Sequence, residues 1–586
     1  MSCRQQKTQQ NPYETSFAAF VFHILLAERN VPKRHSTAPF AKKARHKALR
    51  QTNCWRSQRE VRQKRKNAKT QERKNARTLS LPDSIGPLLP DQWDQEGPLR
   101  GMTPLLPSGE RCVVGCVALA MAQVMHKWEH PQWGTGTLTY DDSLGCGQVL
   151  TGEFYKHHYD WANMLDKYVE GEYTQQQADA GALLCSDCGI SVQMKYGTTS
   201  GAQPVQQAIA LPTYFGYDEG VQIYFRDFYT KDEITLMLKQ ELAAGRPVLI
   251  SAYNHVGGHA FVIDGYNKDD WFHINVGNPD KEFDGDGWTP LDCMAPNQPA
   301  YFDVDSPESG LNLLQIFVMG AIPATHAEAT HTETHVYAMQ RMEAVDTEAA
   351  RGENMRVCVR DLSNIGRSLH SDSVSLVLLK DGETVCPVYT YDRTFLLEEV
   401  DDTTYTDTLS ILLPTDLAAG TYTLQPMFRD GGTWQAVRTS VGTPNYLLCD
   451  IGDDVVTLSS DTANTAYLTL EDFDVPDLII NGSAPEINLT LKAHNAEFSG
   501  RIYLYMEPID ERCKEFYLIR QGVTMQSGEV SVRRCHKTKI YAPKTGRYRL
   551  HFLYDNNLFA DEMLELTDQT IEVSVLHAGV IQIARR

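Results

Sequence analysis

Apolar residues recur at helical spacing most clearly in "VVGCVALAMAQVMHKW" (residues 113–128). Val117, Ala120, Met121, Val124, Met125 and Trp128 fall at i, i+3, i+4, i+7, i+8 and i+11. That spacing predicts a helix with one buried face. Gly115 supplies the turn ahead of it, so Cys116 falls among its first residues. Between residues 81 and 325, helical patterns alternate with strand-like runs such as "AFVIDGY" (260–266) and "WFHINVG" (271–277). "THAEATHTETH" (325–335) is polar and aperiodic, which predicts a linker. From about 336 the pattern turns to short alternating strands. "SVSLVLLKDGE" (373–383) and "GTYTLQPMFRDGG" (420–432) both run into Asp-Gly turns.

The second part of this region repeats the first. "LAAGTYTLQPMFRDGG" (417–432) aligns with "PKTGRYRLHFLYDNNL" (543–558), setting Gly420 on Gly546 and Tyr422 on Tyr548. "MRVCVRDLSNIG" (355–366) resembles "INLTLKAHNAEF" (487–498). A repeat of this length predicts two all-β immunoglobulin-like sandwich domains, 326–450 and 451–586, rather than a solenoid.

At 586 residues the chain is too long for one ordinary core, and three or four domains are expected. The net charge of −20 hides an asymmetry: residues 1–80 hold 20 Lys+Arg against 4 Glu, and the acids dominate the rest. The acidic body argues against nucleic acid as its partner. The basic head, with "KKARHK" and "RQKRKNAKTQERKNAR", reads as a disordered leader, because such runs bury almost nothing. "SFAAFVFHILLAERN" (16–30) has the length of a signal-peptide core, so the leader is a candidate signal or pro-segment and export to a secreted, cell-surface or periplasmic location is expected. No 18-residue apolar run predicts a membrane span. The thirteen cysteines fit neither a disulfide framework nor a zinc cage, and "CSDC" (Cys185–Cys188) lacks a second pair, so packing is expected there.

A cysteine at a helix start is a candidate nucleophile. Unpaired N–H groups and the helix dipole favour an anion there, and a thiol of pKa about 8.5 falls by several units beside a histidine cation. A plain buried cysteine fits the same local pattern, so the partner decides. "NHVGGHAFVIDGY" (254–266) puts His259 behind two glycines and ahead of a strand. Gly257 and Gly258 permit close backbone approach, and Asn275 on the next strand is a candidate amide to orient the imidazole. Thiolate, imidazole and amide make the cysteine version of the triad. Cys112 stands ahead of Gly115 and is set aside; His255 and His273 lack the glycine context and read as packing or surface, and Asp264 as a turn cap.

Four segments in order carry a resemblance to the streptopain-like cysteine peptidases (peptidase family C10, papain-like clan). They are "PDQWDQEGP" (90–98), "VGCVALAMAQVM" (114–125), "CGISVQMKYGTTSGA" (188–202) and "VGGHAFVIDGY" (256–266). The resemblance implies an α+β papain-like catalytic domain over 81–325 and cysteine endopeptidase activity on protein or peptide substrates, with no cofactor. It assigns Cys116 as nucleophile, His259 as acid and base, Gln95 as oxyanion donor and Asn275 as orienting residue. Tyr196, Gly197, Ser200 and Gly258 are expected along the substrate groove. Where the family continues Trp-Gly-Trp-Gly-Gly after the asparagine, this chain reads "NVGNPDKEFDGDGW" (275–288). Val276 replaces a shielding tryptophan, and Trp288 is the residue in place to return over the site. The loop acids Asp280, Glu282, Asp284 and Asp286 suggest calcium, but the EF-hand pattern fails because its twelfth position is Leu291. The departure leaves a second reading, a catalytically lapsed protein whose β-modules bind surface partners.

Overall fold

Helix α1 (Cys116–Trp128) starts at the predicted turn, where Gly115 takes φ +90°. The computed structural model describes residues 81–586 apart from 254–256, 278–286, 295–310, 368–372, 392–404, 431, 484, 536–542, 556–562, 568–570, 577–579 and 585–586. One apolar face was expected for α1, but every residue from Val117 to Met125 is buried. The reason is that α1 lies between two apolar layers. Leu249, Ala260 and Val262 of a sheet share its core, as do Leu184, Cys185 and Cys188 of helix α2 (Gln175–Ser191). A capping box fixes the start of α2, with Thr174 accepting from the Gln177 N–H and Gln177 returning to Thr174. Helix α3 (Gln206–Phe215) follows, then α4 (Lys231–Ala243), which opens on a second capping box between Thr230 and Glu233.

A hairpin of β1 (Leu138–Asp142) and β2 (Gln148–Gly152) precedes the main sheet. The sheet itself comprises β3 (Gln222–Phe225), β4 (Val248–Tyr253), β5 (Gly258–Tyr266), β6 (Trp271–Asn275), β7 (Gly287–Pro290) and β8 (Leu313–Met319). They lie in the order β3-β8-β4-β5-β6-β7, all antiparallel. Strand alternation sends Leu249, Ala260 and Val262 toward α1, and Val248, Ile250, Ala252, Phe261 and Ile263 toward Ile234, Leu238 and Leu242 of α4. With both faces covered, the strands read as nearly continuous apolar runs.

From Tyr337 onward the described elements are all strands. Two successive pairs of antiparallel sheets each enclose a core. Lys380 and Glu383 are joined by Asp381 at φ 54° and Gly382 at φ 88°, the left-handed pair a tight hairpin requires. The repeat in the sequence is a repeat of strand order. The first large sheet runs Glu348–Ala350, Val455–Ser460, Leu447–Ile451, Gly420–Asp430, Val374–Lys380, Glu383–Thr390. The second runs Leu478–Ile479, Ile581–Ala584, Ile571–Val575, Gly546–Asp555, Phe498–Pro508, Phe516–Met525, position for position the same. The aligned tyrosines make the same bond: Tyr422 Oη donates to the Ala418 carbonyl at 2.9 Å, and Tyr548 Oη to that of Lys544 at 2.8 Å.

Segment 325–335 has no regular structure, but it is held down. The buried Asp218 carboxylate accepts from the N–H groups of Gly220, Thr330 and His331 and from the Thr330 hydroxyl, at 2.8–3.1 Å. Val336, Ala338 and Ile365 of the first β-module complete the apolar core on the α4 side of the six-stranded sheet. One module reaches the turn ahead of α4 and the other the first residue of α4. Val441 N–H donates to the Asp227 carbonyl at 2.8 Å, and Glu497 accepts from Lys231 N–H at 2.8 Å.

Candidate active site

Two constraints place the Cys116 sulfur. Gly115 has a left-handed φ, and a Cβ there would lie 2.7 Å from Met194 Sδ and Cε, so only glycine turns the chain into α1 at this point. Cys116 is then the first helical residue, half-buried, beside the start of β5. The His259 imidazole and the N–H groups of Ala260 and Val117 are the groups that act on the sulfur. Burial opposes ionisation, but the histidine and the two backbone donors outweigh it and hold the thiol below its ordinary value. Burial likewise disfavours the imidazolium, and here the Cys116 sulfur and the Val276 carbonyl outweigh it and raise the His259 pKa. The two shifts together favour the thiolate–imidazolium pair.

His259 is oriented by main chain. Its Nε2 bonds the Val276 carbonyl at 2.8 Å, and its ring stacks on Phe261 with centroids 6.0 Å apart. Asn275, expected in that role, is engaged elsewhere, and the expectation is corrected. Its Oδ1 accepts from Gln123 Nε2 at 2.9 Å and from Gly277 N–H at 3.1 Å, and its Nδ2 donates to the Asp91 carbonyl at 2.8 Å. The side chain fills this network because residue 275 ends β6 facing α1, whereas the carbonyl one residue later faces the imidazole.

Gln95 is half-buried, and its carbonyl accepts from Val114 N–H at 3.0 Å, two residues ahead of Cys116. The expected groove residues divide. Tyr196 is 1% exposed with its hydroxyl against the Ser186 carbonyl, filling the space left by Gly189. It is therefore a core residue and cannot line a groove. Ser200 Oγ donates to the Val113 carbonyl at 2.8 Å, and the Gly197 carbonyl accepts from Val113 N–H at 3.2 Å. Both brace the segment leading into Cys116. Gly258 is exposed beside His259, and a Cβ there would strike the Tyr253 ring at 2.3 Å. Trp288 does not return over the site. It pairs with His273 on the neighbouring strand and packs edge-on against that ring at 5.2 Å. Asp264 holds His273 Nδ1 at 2.6 Å and Leu89 N–H at 3.1 Å, inside the sheet rather than at a turn.

Other thiols behave differently. Burial pushes Cys112 up to about 11, and burial raises Cys185 and Cys188 also. His255 and the loop acids 280–286 lie outside the described residues. Among the described residues one group of metal-ligand types converges, Asp91, His126 and Asp166, with ligand atoms within 4.8 Å of one another. Asp91 Oδ1 and His126 Nδ1 already bond at 2.5 Å, and the ring stacks on Trp93 at 4.9 Å. Sequence reasoning missed Gln123, Asp91 and the Val276 carbonyl. A single amide inside the apolar run Val117–Met125 was the available signal for Gln123; a backbone carbonyl leaves none.

The peptidase C10 family model matches residues 93–282. The thiol protease/hemagglutinin PrtT of Porphyromonas gingivalis is 34% identical over 210 residues, 34% of this chain and 24% of that protein. Streptopain of Streptococcus pyogenes is 31% identical over 273 residues, 44% of this chain and 65% of its own length. The chain belongs to the peptidase C10 family. Active interpain A cysteine protease of Prevotella intermedia is 32% identical, covering 41% of this chain and 96% of that one, with a TM-score of 0.36. This chain spans less than two thirds of the curated relatives PrtT and streptopain. The C10 match lies on the segment that carries Cys116, His259 and the Val276 turn. No helix among the described residues is long and apolar enough to cross a membrane.

Proposed function

We propose that the chain is a cysteine endopeptidase that hydrolyses protein or peptide substrates through Cys116 and His259. The observation that carries this reading is the placement of Cys116 as the first residue of α1 beside His259 at the start of β5, with the pair's mutual influence favouring the charged forms of both. The Cys116 thiolate attacks the scissile carbonyl carbon, and the C=O electrons move onto oxygen. That oxyanion is met by the Cys116 N–H and the Gln95 side chain. The tetrahedral adduct collapses, His259 gives its proton to the departing amine, and a thioester remains. Neutral His259 then takes a proton from water, whose oxygen displaces the sulfur and releases the acid.

In this reading residues 81–325 form the papain-like domain. Segments 326–450 and 451–586 are immunoglobulin-like modules, the candidate contacts for a surface or a substrate. Export of the chain is part of the same proposal. The lapsed-enzyme alternative rests on Val276 and the rebuilt loop that follows it; position 276 contributes a carbonyl to His259, which favours the catalytic reading, and loop residues 278–286 lie outside the described residues. The full chain should cleave casein under reducing conditions and be alkylated at Cys116 by the epoxide E-64. Casein left equally intact by wild type and Cys116→Ala would defeat the proposal.

A further inference from the structure

Helix α1 carries Cys116 at its start and, two turns on, reaches the turn that holds His259. Gln123 is fully buried and is the one polar side chain between Val117 and Met125. Its Nε2 donates to Asn275 Oδ1 at 2.9 Å, the same oxygen that accepts from Gly277 N–H. Asn275 Nδ2 donates to the Asp91 carbonyl, and the Asp91 carboxylate binds His126, one turn beyond Gln123 on α1. Residues 275 and 277 are therefore both tied down, and Val276 lies between them with its carbonyl on His259 Nε2. Gly277 closes the contact from the other side. It takes φ +62°, and a Cβ there would lie 2.7 Å from Leu119 Cδ2 of α1, so the turn rests directly on the helix.

Stability alone does not account for this amide. A buried amide costs free energy unless its hydrogen bonds are met, and Gln123 Oε1 is buried with no partner. Methionine or leucine would fill the position without that cost. What the amide supplies is a bond of fixed length from the nucleophile-bearing helix to the turn that orients the imidazole.

We infer that Gln123 is a positioning residue for His259, acting through Asn275 and the Val276 carbonyl, so that one helix sets both members of the Cys116–His259 pair. The inference rests on the peptidase reading above. Without Gln123, Asn275 Oδ1 keeps only the Gly277 N–H, the turn gains freedom, and the Val276 carbonyl no longer holds Nε2 in line. The imidazolium then loses its acceptor and the thiolate loses part of its counter-charge.

The test uses the full chain as wild type, Gln123→Met, Asn275→Ala and the double variant. Three quantities are read: the thermal midpoint, the pH profile of Cys116 alkylation by iodoacetamide, and kcat with KM on a peptide substrate. Gln123→Met should lower kcat about ten- to a hundredfold at unchanged KM, and move the acid limb of alkylation up toward that of an ordinary thiol. The effects of Gln123→Met and Asn275→Ala should be non-additive, because both cut one connection. A Gln123→Met protein with a shifted melting point but an unmoved alkylation profile would reduce the residue to packing and overturn the inference. So would effects that simply add. Failure of the peptidase reading is distinguishable, because wild type and Cys116→Ala would then both leave peptides intact while the alkylation profiles still report on Gln123.

Discussion

At the scale of single residues, the chemistry lies in two opposed shifts. Cys116 lies below its ordinary thiol value and His259 above its ordinary imidazole value, both despite burial. Alkylation of Cys116 should therefore persist below the range of a free thiol of about 8.5 and fade only as acid protonates the sulfur through its lowered pKa. The sign for His259 is opposite: its proton is retained above the ordinary value and lost as pH rises through the raised one. Peptide hydrolysis should accordingly follow a bell in kcat/KM, with the acid limb belonging to the pair's first proton and the alkaline limb to its second. A single rising limb would contradict the assignment. Replacing His259 with alanine removes the imidazole that does most to offset burial and leaves only the two backbone donors, so the thiol should move upward and hydrolysis fall by at least about 10²-fold. Cys112, pushed up to about 11 by burial, should stay unlabelled in the native protein under the same conditions.

At the scale of elements, a few backbone turns decide where these side chains meet. Gly115→Ala combines a disallowed φ with a crowded Met194 thioether, and should cost about 1–3 kcal/mol, read as a lower thermal midpoint with slower Cys116 labelling. Unchanged labelling and stability would show that the turn tolerates a side chain. Such turns explain what the sequence reveals. The helix at Cys116 is legible from its apolar spacing and its glycine, and the His259 strand from the Gly-Gly pair ahead of an apolar run. The hairpin at Asp381–Gly382 is legible from its turn chemistry. Tyr196 is expected along the groove only because its segment resembles the family's groove segment. Its ring instead fills a gap beside Gly189, a long-range packing fact that no local pattern carries. Asn275 was read as an orienting amide from type and position alone, yet side-chain direction at a strand end depends on the neighbouring helix. All-round burial of α1 was hidden for the same reason, since periodicity reports a preferred face and not how many layers cover the helix.

At the scale of the whole molecule, the β-modules are built into the same body as the sheet. Ser84–Arg586 is one compact unit, and Val336, Ala338 and Ile365 close a core that begins with α4. The polar segment 325–335 reads as a loose linker in sequence, yet Asp218 clasps it with three hydrogen bonds, from the Thr330 N–H and hydroxyl and the His331 N–H. Burial works against the Asp218 carboxylate, but the N–H groups of His331, Gly220 and Thr330 and the Thr330 hydroxyl hold its pKa below the usual value. A lowered carboxyl pKa contributes stability above the ordinary value near 3.9, and that contribution disappears as pH falls through the lowered one. Asp218→Asn should remove it at neutral pH, costing about 1–3 kcal/mol, and should expose 325–335 to limited proteolysis. Equal resistance of variant and wild type would mean that the clasp does not secure the segment.

An acceptor supplied by the peptide backbone is immune to substitution of its own side chain. Any residue at 276 offers His259 the same carbonyl, but the Val276 side chain is buried in the core beneath the sheet, so Val276→Ile should keep the bearing of the ring while Val276→Asp should unsettle the turn through its packing. The residues on either side have no such freedom of type, because Asn275 spends its amide on three partners and a side chain at Gly277 would meet Leu119.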